Sequence, residues 1–372
     1  MVTESVYDVC VVGGGPAGLA AAIAVRQYGL TVILLDRAIP PIDKACGEGL
    51  MPDSLRALAQ LGVTLPTQAG FNFRGIRFVD DHSCVSADFP NGTGIAIRRT
   101  LLQQLLIEAA ERAGVALRWG TGTVHLQKSG VASDKLIARA RWIVGADGLN
   151  SQIRHQAGLD RCRVERTRYG FRRHFRVAPW SSYMEVYWGA RCQAYVSPVS
   201  GEEMCIAVIS QDPKLRLTEA LAGLPQLERR IRGAQPVSRE MGALSVTRKL
   251  RRVHRDRLAL LGDASGSVDA VTGEGMCLSF KQAAALARAI RSGDLEKYQE
   301  EHNRLGSRTH SMAALLRVAL ESQTGLRQRI LASLARRPRV FESLLAIHIG
   351  ERGFLDLWPR GVFEFGSAFL SG

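Results

Sequence analysis

Two short apolar runs enclose an Ala-rich segment at the start of the chain. Residues 7–12 are mostly apolar and β-branched, a pattern typical of a buried parallel strand. A Gly-rich turn at 13–15 follows, and the apolar spacing then predicts a helix from Ala17 to Tyr28. A second buried strand is predicted from Thr31 to Leu35. Together these elements predict a βαβ unit, the start of a parallel sheet covered by helices.

The rest of the chain mixes helical and strand-like patterns. The predicted helices are an amphipathic helix over 53–61 capped by Asp53, a helix from Leu101 to Ala113, one basic helix near 214–231, and nearly all of the chain after Gly275. Alternating positions predict antiparallel strands within 71–97 and over 171–177, 183–188, 192–199 and 204–210. Further strands are predicted to lead into 142–148 and to run over 258–261.

The order of these segments predicts an α/β protein with a discontinuous nucleotide-binding domain. Segments of nucleotide-binding character lie at 7–36, 142–154 and 258–276, and strand-rich stretches separate them. We therefore expect a Rossmann-type domain built from 1–70, 95–160 and 250–290. A mostly antiparallel β domain for the substrate is expected from 71–94 and 161–249, and a helical C-terminal region from 291–372.

Composition places the chain among ordinary globular proteins. Of its 372 residues, 46% are hydrophobic and 23% are charged, which excludes the disordered, fibrous and collagen-like classes. The formal net charge of +14 indicates either a solvated basic surface or attraction for an anionic cofactor, carrier, protein or lipid surface. The sequence has no helix-turn-helix, zinc-finger or aromatic-basic RNA motif, so no nucleic-acid partner is expected.

The cysteine pattern and the length of the apolar runs indicate where in the cell the protein is expected. The seven cysteines are scattered without a Cys-x-x-Cys pair, which favours a reducing compartment over a disulfide framework. The first residues lack the basic and apolar regions of a signal peptide. No apolar run approaches the roughly 18 residues of a membrane span. We therefore predict a cytoplasmic protein without a transmembrane segment, and contact with a membrane surface is left open.

The turn after the first strand carries the Gly-x-Gly-x-x-Gly spacing of a dinucleotide-binding loop. Gly13 permits the tight turn, Gly15 lets a pyrophosphate approach the backbone, and Gly18 allows the helix to pack closely on the strand. The helix N-terminus adds oriented N–H groups for the anion. Asp36, at the end of the next strand, lies where a carboxylate accepts hydrogen bonds from a ribose hydroxyl. A dinucleotide is therefore expected to bind here.

Two further motifs resemble those of one flavoprotein superfamily. Residues 145–154 (Gly-Ala-Asp-Gly-Leu-Asn-Ser-Gln-Ile-Arg) resemble the G-A-D-G-x-x-S-x-x-R segment of FAD-dependent aromatic hydroxylases, and Gly262-Asp263 resembles their Gly-Asp motif. In that superfamily the Asp holds a ribityl hydroxyl of FAD, and the helix that begins near Gly273-Glu274-Gly275 points its N-terminus at the flavin. The chain thus resembles p-hydroxybenzoate-hydroxylase-like FAD oxidoreductases over about residues 5–290, which implies an FAD-binding domain of the Rossmann-type, GR2-like class.

Within this superfamily the closer resemblance is to geranylgeranyl reductases and related FAD-dependent monooxygenases and halogenases. It rests on residues 44–50 (Lys-Ala-Cys-Gly-Glu-Gly-Leu) and on 272–275 (Thr-Gly-Glu-Gly), while Arg98 matches the Arg-x-x-Leu motif of the helix that runs past the flavin. The proline that usually precedes the second motif is replaced by Ala270-Val271. The strand at 195–198 lacks the Trp and Phe-Pro-Lys pattern of prenyl reductases, and the halogenase Trp-x-Trp-x-Ile-Pro signature is absent. These last two differences favour a monooxygenase.

The resemblance implies FAD as the cofactor and hydroxylation of an aromatic or otherwise electron-rich substrate. In the family, reduced flavin and O2 form a C4a-hydroperoxide whose distal oxygen passes to the substrate, while the protein binds, orients and excludes water. Because the chain has a single Gly-x-Gly-x-x-Gly loop, NAD(P)H is expected to visit only transiently, or another reductant replaces it. The sequence does not decide whether the substrate is a small molecule, a carrier-bound molecule or a protein side chain. The alternatives are a geranylgeranyl-reductase-like enzyme that reduces double bonds and a non-catalytic, flavin-binding assembly factor.

The residues expected to contact the cofactor come from all of these motifs. They are Gly13, Gly15, Pro16, Ala17, Gly18, Asp36, Arg37, Lys44, Cys46, Gly47, Arg98, Asp147, Gly148, Ser151, Arg154, Gly262, Asp263, Gly273, Gly275 and Met276.

Three residues are candidates for catalysis. Cys46, beside the expected flavin, either protonates a substrate or contacts the flavin, or else it is a small buried filler. Arg172 and His174 share one face of a strand because side chains alternate with period two. We expect the strands between 165 and 210, with their aromatic residues, to form a substrate wall over the flavin, with Arg172 and His174 facing the ligand. The alternative is that Arg172 and Arg176 lie in solvent.

Other chemistries lack support in the sequence. There is no His-Glu-x-x-His or Cys/His metal spacing, no Gly-x-Ser-x-Gly nucleophile motif and no Walker A lysine, so no metal site is expected. The C-terminal aromatic residues are expected to cover the core, with a ligand wall, a partner surface or an interfacial anchor as alternatives. They are Phe354, Trp358, Phe363, Phe365 and Phe369.

Overall fold

The computed structural model describes residues 3–321, 324–353 and 356 of the chain. The aromatic residues noted above, from Phe354 to Phe369, lie outside the described residues. Among the residues that are described, no helix is both long and apolar enough to cross a bilayer.

The helices begin and end close to the capping and breaking residues of the sequence. Within the described residues they are α1 (Pro16–Arg26), α2 (Pro52–Gln60), α3 (Arg99–Arg112), α4 (Gln152–Gln156), α5 (Leu217–Ala222), α6 (Pro225–Ile231), α7 (Gly275–Ser292), α8 (Leu295–Leu320), α9 (Thr324–Arg336) and α10 (Pro338–His348). Short 3₁₀ turns lie at Thr67–Ala69, Gly262–Ser265 and Ala270–Thr272.

The strands form three sheets. They are β1 (Thr3–Val12), β2 (Val32–Leu35), β3 (Gly49–Leu50), β4 (Phe71–Phe73), β5 (Gly75–Val79), β6 (Cys84–Asp88), β7 (Gly94–Ala96), β8 (Ala116–Arg118), β9 (His125–Gln127), β10 (Gly130–Ala132), β11 (Leu136–Gly145), β12 (Cys162–Arg176), β13 (Tyr183–Trp188), β14 (Cys192–Pro198), β15 (Glu203–Ser210), β16 (Gln235–Pro236), β17 (Met241–Leu250), β18 (His254–Arg255), β19 (Leu258–Leu260) and β20 (Gly266–Ser267).

The first sheet is the nucleotide-binding layer. Its order is β18-β19-β11-β1-β2-β8, with β9 and β10 attached to β11. The central pairs β19–β11, β11–β1, β1–β2 and β2–β8 are parallel. Helices α1, α3 and α7 contribute their apolar faces to the same core as these strands. The predicted α/β class with a Rossmann-type layer is confirmed.

The second sheet is mostly antiparallel and lies between two groups of helices. Its order is β20-β17-β12-β15-β14-β13-β5-β6, and the pair β13–β5 is parallel. One face packs against α8, α9 and α10, and the other packs against α5 and α6. Side chains alternate between the two faces along β13 and β14. Val186 and Tyr195 belong to the core shared with α8, α9 and α10, whereas Tyr187 and Val196 belong to the core shared with α5 and α6.

A third, small sheet has the order β3-β7-β4 and connects the two larger ones near the 43–50 loop. The two main sheets are contributed by the segments expected for the nucleotide-binding and substrate domains, but the exact domain boundaries stay a prediction.

Two expectations about helices are wrong. Asp53 does not cap α2, because Met51 is the N-cap residue and Pro52 is the first helical residue. Asp53 is instead buried and pairs with Lys281 of α7 at 2.6 Å. The single basic helix expected near 214–231 is two helices, α5 and α6, because Pro225 cannot continue α5 and starts a new helix instead.

Candidate functional site

The glycine loop between β1 and α1 brings the backbone close to an open space. Gly13 has φ +118°, and a Cβ there would lie 2.3 Å from the carbonyl oxygen of Ala146 on the neighbouring strand. Gly15, the N-cap residue of α1, has no atom within 4 Å of where its Cβ would be. A ligand can therefore approach the backbone at Gly15, at the positive end of α1.

The carboxylate of Asp36 holds this loop in place. Its Oδ2 accepts a hydrogen bond from the Gly14 N–H at 2.6 Å, and its Oδ1 accepts one from the Ala38 N–H at 2.7 Å. Arg37 beside it is exposed. A carboxylate has further lone pairs, so the ribose contact stays a prediction beside this structural role.

The motif at 145–154 stabilises the turn that follows β11. Asp147 accepts hydrogen bonds from the Ser151 hydroxyl and from the Gln152 and Ile153 N–H groups at the start of α4. Arg154 is buried, pairs with Asp160 at 2.9 Å and donates to the Ala264 carbonyl. The side chains of Asp147, Ser151 and Arg154 therefore stabilise this turn and its neighbours.

A cleft of about 330 Å³ lies between the first and second sheets. Lys44 and Asp263 face each other across its wall at 3.5 Å, each close to half exposed. The predicted site residues that line the cleft are Gly15, Pro16, Ala17, Lys44, Cys46, Gly47, Gly148, Arg172, Gly262, Asp263, Gly273, Gly275 and Met276. The predicted residues outside its lining are Gly13, Gly18, Asp36, Arg37, Arg98, Asp147, Ser151, Arg154 and His174.

Two adjacent arginines, Arg98 and Arg99, lie on different sides of the chain near the cleft. Arg98 turns away from the cleft, and its guanidinium pairs with Glu203 at 2.6 Å and contacts His174. Arg99 lines the cleft, and its Nε is buried with no hydrogen-bond partner in the described part of the chain. The Arg99 side chain as a whole is half-buried, and its positive charge in the cleft fits an anionic ligand. The cofactor contact of Arg98 stays a prediction, and Arg99 is a further candidate that the Arg-x-x-Leu match did not single out.

Arg172 and His174 do share a face of β12, but that face is buried against the 43–50 loop. Each is 1% exposed. Arg172 pairs with Asp43 at 2.5 Å, and the Nε2 of His174 lies 2.7 Å from Glu48. The Nδ1 of His174 lies 2.8 Å from Arg98. This ion network is the main surrounding of His174, whereas Arg172 also lines the cleft, and the catalytic role of the pair stays a prediction.

The carboxylate of Glu48, the ring of His174 and the thiol of Cys205 converge within 4.8 Å, a donor set that can hold a metal ion. Glu48 and His174 already hydrogen bond to each other, and the Cys205 thiol lies 3.6 Å from the Cys46 carbonyl oxygen. Burial raises the pKa of Cys205 well above its usual range, and Glu48 raises it further, so the thiol keeps its proton. Internal hydrogen bonding therefore accounts for this cluster.

An apolar chamber of about 720 Å³ adjoins the cleft. Its walls are β5 and β13 on one side and the helices α8, α9 and α10 on the other, including Ile76, Val186, Leu316 and Phe341. Gly49, Met184, Tyr195 and Gly273 line both the chamber and the cleft, so the two spaces meet there. Among the described lining residues the polar side chains are those of Tyr195, Thr272, Ser311 and His348.

The chamber was not foreseen from the sequence. The strands between 165 and 210 do line the cleft, as at Phe171, Tyr195 and Val208, but with few of the aromatic residues that were expected there. Phe171 and Tyr195 line the cleft or the chamber, and the other aromatic residues expected on these strands line neither space. Those residues are Tyr169, Phe175, Tyr183 and Tyr187. Tyr183 stacks against Arg77 and hydrogen bonds Asp88 on the sheet edge, while Tyr187 points into the core on the opposite face. The chamber residues of α8, α9 and α10 were missed because their apolar stripes have the same pattern as ordinary core positions.

The fold and the cleft define a dinucleotide-binding flavoprotein. A Gly-rich βαβ loop, the N-termini of α1 and α7, a Gly-Asp turn and the unpaired Arg99 surround one cleft, and these features fit a phosphorylated dinucleotide. A family model described as "FAD binding domain" matches residues 6–293, and the chain therefore belongs to this family of FAD-dependent oxidoreductases. The expected FAD cofactor and the expected superfamily are confirmed.

Curated relatives and solved structures agree with this family. The chain is 29% identical over 326 residues to a menaquinone reductase of Mycobacterium tuberculosis, covering 80% of this chain and 79% of that protein. It is 22% identical over 307 residues to a digeranylgeranylglycerophospholipid reductase of Methanocaldococcus jannaschii, covering 74% and 75%. The flavin-dependent brominase Bmp2 superposes with a TM-score of 0.80 over 99% of both chains at 17% identity, which shows the shared fold.

Proposed function

We propose that the protein is an FAD-dependent reductase that saturates carbon–carbon double bonds in a long, apolar substrate. The observation that carries this proposal is the apolar chamber, which opens onto the cleft at Gly49, Met184, Tyr195 and Gly273. Its volume of about 720 Å³ lies in the range of small-molecule sites. A substrate there is held by burial of apolar area, at about 25 cal/mol per Å².

The scarcity of polar groups argues against a small phenolic or charged aromatic substrate. Such a substrate needs hydrogen-bond partners that fix its orientation. The Tyr195 hydroxyl already donates to the carbonyl of Val271, and the His348 ring contacts the carbonyl of Thr272. An isoprenoid-like chain has no such requirement, and both relatives described above are named as reductases.

The residues of the cleft provide binding and orientation. FAD, when bound, supplies the electron pair for reduction. Lys44 and Arg99 place positive charge in the cleft, and the N-terminus of α7 at Gly275 adds its partial positive charge. Cys46 lies in the same wall, where its Sγ accepts a hydrogen bond from the Glu48 N–H at 3.3 Å. The apolar walls of the chamber leave few polar groups to hold water beside the reacting double bond.

Monooxygenation of an apolar substrate is the second candidate. It is favoured by the strand at 195–198, Tyr-Val-Ser-Pro, which lacks the Trp and Phe-Pro-Lys pattern of prenyl reductases. Apolar walls that offer few polar groups to hold water also protect a reactive oxygen species from side reactions. In this case O2 is a co-substrate and NAD(P)H remains the proposed electron donor.

A single experiment separates the two candidates. The FAD-loaded protein is reduced with dithionite and mixed without O2 with an all-trans polyprenyl alcohol, and in parallel it is supplied with NADPH and ¹⁸O2. Reduction predicts flavin oxidation in the anaerobic arm and a product that has gained two hydrogens per double bond. Monooxygenation predicts no anaerobic reaction and a product that contains one labelled oxygen, and that result would overturn the reductase proposal.

A further inference from the structure

A buried carboxyl group, that of Glu274, lies between an apolar cavity and a polar one. Glu274 is the N-cap residue of α7 and is 3% exposed. On one side lies the apolar chamber, whose wall includes Thr272, Gly273 and His348. On the other side lies a polar cavity of about 400 Å³ between α2, α7 and α8, and Glu274 is part of its wall. Arginines at the rim of the polar cavity, such as Arg288, are exposed, so water reaches it.

Glu274 and His348 face each other through two atoms with unused hydrogen-bonding capacity. The Oε2 of Glu274 and the Nδ1 of His348 are 3.7 Å apart, and both are buried with no hydrogen-bond partner among the described residues. The other ring nitrogen, Nε2, lies 3.1 Å from the carbonyl oxygen of Thr272. Because a carbonyl oxygen only accepts, Nε2 carries a hydrogen, and Nδ1 of the neutral ring is an acceptor. At 3.7 Å the two atoms are just beyond hydrogen-bond distance, so a proton passes from Oε2 to Nδ1 only when the two side chains move closer by a few tenths of an ångström.

The surroundings of Glu274 favour a protonated carboxyl group. Burial raises the pKa of Glu274, the His348 ring opposes this increase, and the Asp53 carboxylate on α2 adds to it. Arg308 of α8 and Lys281 of α7 act in the opposite direction, but Lys281 is paired with Asp53 at 2.6 Å. The Oε1 of Glu274 faces Arg308 at 3.8 Å on the side of the polar cavity. The carboxyl group therefore has one oxygen towards each cavity.

We propose that Glu274 and His348 form a proton relay from the polar cavity to the apolar chamber. This inference rests on the proposed reduction of a double bond, in which one carbon gains a hydride and the other gains a proton. In the relay the Nε2–H of His348 leaves the Thr272 carbonyl when substrate is bound and gives its proton to the second carbon, while the Nδ1 takes the proton of Glu274. Water in the polar cavity then returns a proton to the Glu274 carboxylate. The chain thereby delivers a proton where the chamber meets the cleft, at Gly273.

The first test is spectroscopic and needs no turnover. Infrared difference spectra between the wild type and Glu274→Gln at neutral pH are expected to contain the carbonyl stretch of a protonated carboxylic acid. In His348→Gln this band is expected to shift, because the Nδ1 acceptor is lost while a side-chain donor remains for the Thr272 carbonyl. The absence of the band, or an unchanged band in His348→Gln, would overturn the relay.

The second test is kinetic and uses a matched control from the same polar cavity. Glu274→Gln and His348→Gln are expected to slow the anaerobic oxidation of the reduced protein by a polyprenyl alcohol about a hundredfold, the usual contribution of a positioned acid. The FAD content and the rate of reaction with O2 are expected to stay unchanged. Glu301→Gln also changes a carboxylate of this cavity, but Glu301 pairs with Arg304 at the rim, so wild-type rates are expected.

The outcomes distinguish the relay from the proposed function. If the wild type reduces the alcohol and both relay variants keep its rate and pH profile, the relay is wrong and the reductase proposal stands. If the wild type reduces no polyprenyl substrate, the proposed function is wrong, and the infrared band and its shift still decide whether Glu274 shares its proton with His348.

Discussion

At the residue scale, the three glycines of the cofactor loop differ in what a side chain would meet. A Cβ at Gly18 would lie 1.8 Å from the carbonyl oxygen of Gly13, whereas a Cβ at Gly15 would meet no protein atom within 4 Å. The backbone at Gly15 has φ −74°, which any residue adopts. The space beside Gly15 is therefore open, and the space beside Gly18 is taken by the fold.

Gly15→Ala and Gly18→Ala are predicted to have opposite effects. Gly15→Ala leaves the thermal stability of the apoprotein unchanged but weakens FAD binding at least about tenfold, because a methyl group separates the pyrophosphate from the N–H groups of α1. Gly18→Ala lowers the free energy of unfolding by about 1–3 kcal/mol through overpacking. Calorimetry on apoprotein and flavin titration measure the two effects. Wild-type FAD affinity in Gly15→Ala would contradict the placement of the pyrophosphate.

Glu48 combines an uncommon backbone conformation with a buried charge. It has φ +60° and is 2% exposed, and its carboxylate accepts hydrogen bonds from the Arg99 N–H at 3.0 Å and contacts the Nε2 of His174. Arg172 lies in the same network on the other side of His174. The negative charge of Glu48 thus compensates positive charge between β12 and the loop that carries Cys46.

Glu48→Ala is predicted to lower the free energy of unfolding by about 3–5 kcal/mol, the cost of leaving a buried positive partner without its anion. The measurement is the midpoint of denaturant unfolding, which reports stability when the m value is the same in wild type and variant. Glu203→Ala is the matched control, because Glu203 also pairs with the network through Arg98 but its side chain is 26% exposed. An effect in Glu48→Ala no larger than in Glu203→Ala would contradict the role of burial.

At the element scale, the long helix α8 holds the Gly-Asp turn of the cofactor cleft. His302 of α8 hydrogen bonds the hydroxyl of Ser265 at 2.9 Å, and that hydroxyl donates to the carbonyl of Gly262. Burial lowers the pKa of His302 to about 4, and the nearby His310 lowers it further. The helix therefore contacts the turn through a neutral imidazole.

The stability of the protein is predicted to fall in mild acid because of His302. In the unfolded chain the imidazole titrates near pH 6.5, whereas in the folded protein it stays neutral down to about pH 4. Between these values the unfolded state binds more protons, so the free energy of unfolding decreases as the pH falls, by roughly 3 kcal/mol at most.

His302→Gln removes this titration while it keeps a donor for Ser265. The variant is expected to show a flatter dependence of the free energy of unfolding on pH between 6.5 and 4 than the wild type. His310, whose pKa burial also lowers, continues to titrate in both proteins. Identical pH dependence in the two proteins would contradict the assignment.

At the scale of the whole molecule, the C-terminal helices complete the chamber rather than merely cover the sheet. Helices α8, α9 and α10 share a core with β5 and β13, yet they leave a space of about 720 Å³ between them. Close packing is the rule in protein interiors, so an apolar space of this size indicates a ligand.

Leu316→Trp is predicted to narrow the chamber and to raise the KM for a long polyprenyl substrate about tenfold, or roughly 1.4 kcal/mol. The FAD content should not change, because Leu316 lines the chamber and not the cleft. Val164→Trp, at a 54% exposed position of β12, is the control for adding a large apolar side chain elsewhere. An unchanged KM in Leu316→Trp would show that the substrate binds outside the chamber.

The sequence by itself determined the cofactor layer. The βαβ unit and the strands of the second sheet can be predicted from the local spacing of apolar residues. The glycine spacing of the loop can be predicted as well, because the close backbone contacts that require glycine involve residues near each other in sequence. For the same reason Gly15, Gly148 and Asp263 could be assigned to the cleft from their motifs alone.

Only the tertiary structure decided what surrounds the substrate. Glu48 and His174 meet although they are 126 positions apart, and Glu274 meets His348 only because α10 folds back onto the start of α7. An apolar stripe looks the same in sequence whether it fills a core or borders a cavity. The difference is the distance between two packed faces, which depends on long-range contacts and not on the pattern of either segment.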